Sequence, residues 1–359
     1  MLLKRVLVPA ASFEIACGIL LALPYASAPA GGDPAPPQAE ISNGVIHAVL
    51  SLPDQKNGYY RGTRFDWSGV INSLSANAHN YYGPWFNKTD PSVIDFVFRG
   101  PDIVAGPCSA ISGPVEEFVS GEKALGYDDA KPGGTFIKIG VGVLRRPDAQ
   151  NYNPYRLYDI VDAGHWTVRR GPASIEFTQE LRDPASGYAY RYTKTVRLVP
   201  NKPEMMLEHE LQNTGRRAIE TNVYDHNFLV LDGATTGPDF QITVPYKLAA
   251  KAEDHTDARF FEVAESTFRY LRPLTGRDTV AADFSGFGKA PSDYRITIEN
   301  KAAGAGMTIA GDRPLASEHL WSIRSVIAVE PFIEMNIEPG KAFRWRYTYS
   351  YYALPNSSK

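Results

Sequence analysis

Two segments of this 359-residue chain alternate so regularly that few structures can accommodate them. Phe343, Trp345, Tyr347, Tyr349 and Tyr351 take every second position, with Arg344, Arg346, Thr348 and Ser350 between them. Earlier, Tyr188, Tyr190, Tyr192, Val196 and Leu198 share one parity, while Arg191, Thr193, Thr195 and Arg197 hold the other. Successive side chains of a β-strand point to opposite faces, so a period of two makes a ribbon with one apolar face and one polar face. A helix would spread the same aromatic residues around its whole circumference. These segments must be strands.

Shorter stretches add strands at Val45–Leu50, Thr135–Leu144, Ser174–Leu181, Met205–Gln212, Phe240–Val244, Tyr294–Glu299 and Ser325–Glu330. Turn residues separate them at Asn57-Gly58, Gly133-Gly134, Asn213-Thr-Gly215 and Pro339-Gly340. Only Asp257–Leu271 reads as a helix. Many strands in one long chain predict an all-β fold, a large antiparallel β-sandwich.

Residues 1–28 read as a secretory signal. Lys4 and Arg5 are the charged start, Ala16–Leu23 the apolar centre and Ala26-Ser-Ala28 the small-residue cleavage site. A membrane anchor needs about 20 apolar residues, and Pro9, Glu14 and Pro24 interrupt the run. The prediction is a periplasmic or secreted protein with no membrane span once the signal is cut, leaving Cys108 as its only cysteine and no internal disulfide. Residues 29–40 read as a Pro/Gly-rich tether and 41–354 as a single domain. A net charge of −3 gives no basic field for nucleic acid.

Several residue types suited to moving protons stand out. In Thr221–Asp232, His226 lies between an acid, an amide and an aromatic residue, and Glu330 shares parity with Val326 and Ala328 at the end of an apolar strand. Glu334 and Glu338 share the parity of Glu330 and are rivals to it. Histidine and carboxylate side chains have pKa values that burial and neighbours can bring toward neutrality. Asp225 should not touch the His226 ring, because neighbours on a strand face opposite ways. For the same reason Glu116 and Glu117 read as one carboxylate facing a groove and one buried or paired. His209 shares parity with Met205, Leu207 and Leu211 and reads as a core histidine, while His319 shows no partner. Twelve per cent aromatic residues, including 20 tyrosines, suit either strands or a sugar-facing surface. No His-Glu-x-x-His, paired Cys-x-x-Cys, phosphate-loop or Gly-x-Ser-x-Gly pattern occurs.

The His226 segment, following a strand and the turn at Asn213-Thr-Gly215, together with Glu330 ahead of the Pro339-Gly340 turn, resembles the galactose mutarotase (aldose 1-epimerase) superfamily. The family histidine typically sits in Asn-His-x-Tyr/Phe-Phe, where this chain has Asp225-His226-Asn227-Phe228. The resemblance implies a β-supersandwich and an isomerase that opens a sugar ring with His226 as acid and Glu330 as base, using no cofactor and no metal. It also implies a mono- or oligosaccharide partner. Tyr59–Trp67 resembles the family strand whose arginine holds a sugar hydroxyl, through Arg64, which follows a Gly-Thr pair, or Arg61. His79 and Trp85 are a candidate binding histidine and stacking platform, or parts of a structured loop with Trp85 in the core. His165 either lines the groove or closes a turn. A carbohydrate-recognition module without catalysis, serving an envelope polysaccharide pathway, is the second reading. A polysaccharide hydrolase or lyase is the third. The sugar and the oligomeric state stay open.

Overall fold

A computed structural model describes residues 35–253 and 256–355. The expected signal and the first half of the tether lie outside them. The first strand, Gln38–Ser42, begins inside the stretch read as tether. Strands dominate the described residues, and helical structure there is confined to the short turns Leu231–Gly233, Ala258–Phe260 and Pro291–Asp293. No helix among them is long and apolar enough to cross a membrane.

Two antiparallel sheets carry the architecture. The larger has ten strands, in the order His165–Arg170, Ser174–Arg182, Ala189–Leu198, Glu204–Asn213, Ala342–Ala353, Ala305–Gly311, Arg295–Asn300, Phe240–Thr243, Thr267–Tyr270 and Phe261–Ala264. The smaller has six, in the order Ala249–Ala252, Thr279–Ser285, Ser317–Ile323, Val326–Ile337, Ile219–Phe228 and Gly113–Val119. One apolar cluster joins their facing sides, with Phe177, Tyr192, Val196, Leu207 and Tyr347 from the large sheet meeting Phe118, Val223, Leu320, Val329 and Ile333 from the small one. A second cluster covers the other side of the small sheet. There Phe65, Trp67, Trp85 and Ile111 pack on Val115, Phe228 and Val326. The six-stranded sheet is thus buried on both faces, and this creates a sheltered surface on its outer side.

The alternating segments are strands as expected. Ala342–Ala353 buries Trp345, Tyr347, Tyr349 and Tyr351, and Ala189–Leu198 buries Tyr190, Tyr192, Val196 and Leu198. Three local expectations are corrected. Asp257–Leu271 is a short turn followed by a hairpin, Phe261–Ala264 with Thr267–Tyr270, rather than a helix. Phe268 and Tyr270 alternate into the core, and tertiary packing overrides a weak helix propensity. Thr135–Leu144 divides into Thr135–Lys138 and Gly142–Arg145 around Gly140, whose φ is +80°. A Cβ at Gly140 would lie 2.6 Å from the Asp66 carboxylate, so glycine is required there. The third correction concerns the Glu330 strand, which does not stop at Glu330 but continues through Pro331 to Ile337.

Candidate functional site

Glu330 and His226 are 104 residues apart in sequence and adjacent in space. Ile219–Phe228 pairs with Val326–Ile337 from Ile219↔Ile337 to Tyr224↔Phe332, and the same register reappears at Leu229↔Ile327. Continued between those points, it sets His226 opposite Glu330. Leu229 and Ile327 exchange both backbone hydrogen bonds, which places His226 and Glu330 at a non-hydrogen-bonded position, where facing side chains come closest. Pro331 has no N–H to give the ladder, so pairing lapses here. The Asn227 side chain fills the gap, donating to the Val329 carbonyl at 2.8 Å and the Asp225 carbonyl at 3.1 Å. The outcome is a His226 Nε2 to Glu330 Oε1 distance of 3.2 Å.

Both side chains line a cavity of about 190 Å³ on the outer face of the small sheet. Trp85, Phe96, Tyr155, Phe228 and Trp321 supply aromatic walls, and Arg64, Asp95, Ser109, Glu253 and His319 supply polar groups. His226 stacks on Phe228 with ring centroids 3.8 Å apart and meets the edge of Phe65 at 5.6 Å. Its Nδ1 is buried without a hydrogen-bond partner among the described residues.

Arg64 is held rigidly at the rim. Its Nε donates to Glu117 Oε2 at 2.7 Å and its Nη2 to the Tyr224 hydroxyl at 3.1 Å, while the guanidinium lies over Phe65 and Tyr155. Its Nη1 makes no hydrogen bond among the described residues, leaving a donor for a ligand. Residues 59–67 form loop rather than the strand expected there. Glu117 is fully enclosed and also accepts from Lys138 at 2.9 Å. Burial opposes its charge, but Lys138 and Arg64 hold its carboxyl down to about 2. Glu116, one residue earlier, faces the other way and meets His209 at 2.6 Å and Lys194. Both glutamates are therefore buried and paired, and neither faces a groove as one was expected to. His209 lies in the core, as its parity indicated. Asp225 likewise turns from the site and accepts from the Tyr349 hydroxyl at 2.6 Å.

Two pKa shifts set the charge of the central pair. Burial raises Glu330 to about 7, against the pull of His319 and Arg64. Burial, reinforced by the Arg64 and His319 charges, lowers His226 well below the usual histidine range. The group poised near neutrality is the carboxylate, and His226 prefers to be uncharged.

The other residues singled out in the sequence lie elsewhere or serve differently. Trp85 is core as well as wall: it stacks on Phe228 at 5.7 Å, and its indole N–H donates to the Ile111 carbonyl at 3.0 Å. Arg61 is exposed, donates to the Lys56 carbonyl at 2.8 Å and borders a separate cavity. His79 pairs with Asp232 at 2.7 Å, away from the cavity. His165 opens the exposed edge strand of the large sheet, opposite Glu180. Glu334 is exposed opposite Asn222 and lines a different, open cleft of about 860 Å³, and Glu338 is exposed beyond the strand end. Of the three glutamates only Glu330 meets His226. Sequence reasoning passed over Asp95, Ser109 and Tyr155, which arrive on loops without a period to reveal them, and Phe96, which opens the short strand Phe96–Arg99. His319 and Trp321 share a parity across buried Leu320, a signal that was legible.

No protein-family model matches this sequence, and no curated protein does. Solved structures do. The chain is similar to a galactose mutarotase related enzyme from Lactobacillus acidophilus (12% identity, 90% of this chain and 99% of that one, TM-score 0.51). It is also similar to an aldose epimerase homologue from C. elegans (14%, 89% and 100%, 0.51). A galactose mutarotase-like protein from Clostridium acetobutylicum matches too (10%, 88% and 95%, 0.50). At such identity the likeness lies in the path of the backbone, over nearly the full length of each relative. This all-β chain has the galactose mutarotase-like fold.

Proposed function

We propose that the cavity binds the reducing end of an aldose and opens its ring, interconverting the two anomers. One observation carries the reading: a buried carboxylate poised near neutrality, 3.2 Å from an imidazole, lines a cavity of about 190 Å³. Ring opening needs a base for the anomeric hydroxyl and an acid for the ring oxygen, and efficient groups have pKa values near the working pH. Glu330 meets that requirement as base. Arg64 Nη1 supplies a hydroxyl-binding donor, and Trp321, Phe96 and Tyr155 offer apolar surface for a sugar face. The cavity is smaller than the about 300–1,000 Å³ of most ligand clefts, which suits one sugar ring rather than a chain of them.

Polarimetry on freshly dissolved α-aldoses tests the reading, with spontaneous mutarotation as background and calorimetry for binding. At least one aldose should convert faster than background. A protein that binds sugar and never exceeds the background would instead be the non-catalytic recognition module.

Residues 1–28 are read as an export signal, so protein recovered from a periplasmic fraction should begin near Pro29. Its one cysteine, Cys108, is fully buried, so its thermal midpoint should be the same with and without reductant. Accumulation of the intact Met1 form in the cytoplasm counts against export.

A further inference from the structure

Glu330 has a second histidine on its other side. Ser317–Ile323 pairs with the Glu330 strand so that His319 stands opposite Glu330, and Thr279–Ser285 pairs so that Asp283 stands opposite His319. Together with the register that sets His226 opposite Glu330, a single row crosses four strands: Asp283, His319, Glu330 and His226. His319 lines the same cavity. Its Nδ1 lies 3.1 Å from Asp283 Oδ1, and its Nε2 lies 3.6 Å from Glu253 Oε1. An imidazole whose Nδ1–H is taken by a carboxylate is fixed in tautomer and in ring plane, with Nε2 left to act on a ligand.

The two histidines differ in what an added proton would meet. The His226 side chain is 6% exposed, lies between aromatic rings, has an unpartnered Nδ1 and faces the Arg64 guanidinium. The His319 side chain is 20% exposed and flanked by two carboxylates. A proton on His226 would meet aromatic rings and the Arg64 charge, whereas the His319 ring has the Asp283 and Glu253 carboxylates beside its nitrogens. Directly opposed residues on neighbouring strands hold their Cβ atoms about 4.5–5.5 Å apart, close enough for Glu330 and His319 to reach the two oxygens of one anomeric centre.

Building on the ring-opening reading above, we propose that His319, oriented by Asp283, is the acid of the reaction, and that His226 is a positioning residue for Glu330. Protonated His319 gives its Nε2 proton to the ring oxygen while the Glu330 carboxylate takes the proton of the anomeric hydroxyl. The bond from the anomeric carbon to the ring oxygen breaks, and the carbonyl forms. After rotation the ring oxygen adds to the other face of the carbonyl, returning its proton to His319, and Glu330 returns its own to the anomeric oxygen. Protons balance over the cycle, and no other reactant is consumed.

The test compares His319→Gln, His226→Asn and Asp283→Asn by polarimetry over a range of pH, with sugar binding followed by calorimetry. His319→Gln should lower the turnover number by about 10²-fold or more, with binding changed only a few-fold. It should also abolish the alkaline fall of the pH–rate profile that marks loss of the acid proton. Asp283→Asn, which removes the carboxylate that orients the ring, should lower the turnover number while leaving KM and the thermal midpoint nearly unchanged, a split that a purely structural role would not give. The charged or titratable groups facing His319 are Glu253, Asp283 and Glu330, with Asp95, Arg64 and His226 across the cavity. Of these only Asp283 and His226 are altered, each in its own variant. His226→Asn should cost about tenfold or less and keep the alkaline fall. A His319→Gln protein with an unchanged rate and profile, beside an inactive His226→Asn, would return the acid role to His226 and leave the ring-opening reading standing. A wild type no faster than background would remove both.

Discussion

Glu330→Gln is expected to lower the turnover number for anomer interconversion by about 10²-fold or more, with sugar binding nearly unchanged, because glutamine keeps the shape and cannot accept the proton. The same substitution should change stability in a pH-dependent way. Burial raises the Glu330 pKa from 4.5 to about 7. Between those values the folded protein keeps a proton that the unfolded chain has released. This group's contribution to stability is therefore fully present below about pH 4.5, falls as pH rises toward about 7 and is flat above it. The loss for this one group is on the order of 3 kcal/mol. Glutamine never ionises, so the variant should gain on the wild type as pH rises, and denaturant midpoints at about pH 4.5 and about pH 8 measure the gain. The wild-type rate should climb with pH through about 7 as the base loses its proton. A variant with full activity and no stability gain at the higher pH would show that Glu330 is neither the base nor a destabilising buried acid.

Lys194→Met should destabilise the fold by about 3–5 kcal/mol. Lys194 has the parity of Tyr190, Tyr192 and Val196 and enters the space between the two sheets, where its ammonium pairs with Glu116. His209 reaches the other oxygen of Glu116 at 2.6 Å. Burial raises the Glu116 pKa, yet Lys194 and His209 outweigh burial and hold it at about 2. Methionine would leave that carboxylate in the core without its main counter-charge, close to Asp66 and Asp225. Removing one partner of a buried pair costs more than the pair contributes, because the remaining charge stays desolvated. Urea midpoints check the size of the effect. In the double variant with Glu116→Gln the loss should be smaller than the sum of the two single losses. A change below about 1 kcal/mol for Lys194→Met would mean that water reaches the pair.

The two results bear on different parts of one sheet. On its inner face Glu116 and Asp225 join a charged, hydrogen-bonded network that ties the sheets together. On its outer face, one residue along the same strands, Glu117 and His226 serve the cavity. The strand period separates structural ionisable groups from the candidate chemistry, so substitution on one face can be read with little interference from the other.

Period-two patterning determined the fold class and most strands by itself, because alternation is a local property that each strand carries in its own residues. It also put His226 and Asp225 on opposite faces and picked Glu330 out of an apolar strand. Everything that depends on register was left to the tertiary structure. Which of Glu330, Glu334 and Glu338 meets His226 follows from the pairing of two strands far apart in sequence, and a shift of one residue would have turned the glutamate to the other face. The same pairing, repeated in the next two strands, gave His319 and Asp283 the place beside Glu330 that their own segments did not reveal. Arg64 rather than Arg61 reaches the cavity because a loop without periodicity delivers it and Glu117 anchors it. His79 and His165 are spent on partners and edges far along the chain. Local chemistry writes the faces of a strand, but which strands lie side by side, and in what register, is decided only when the whole core packs.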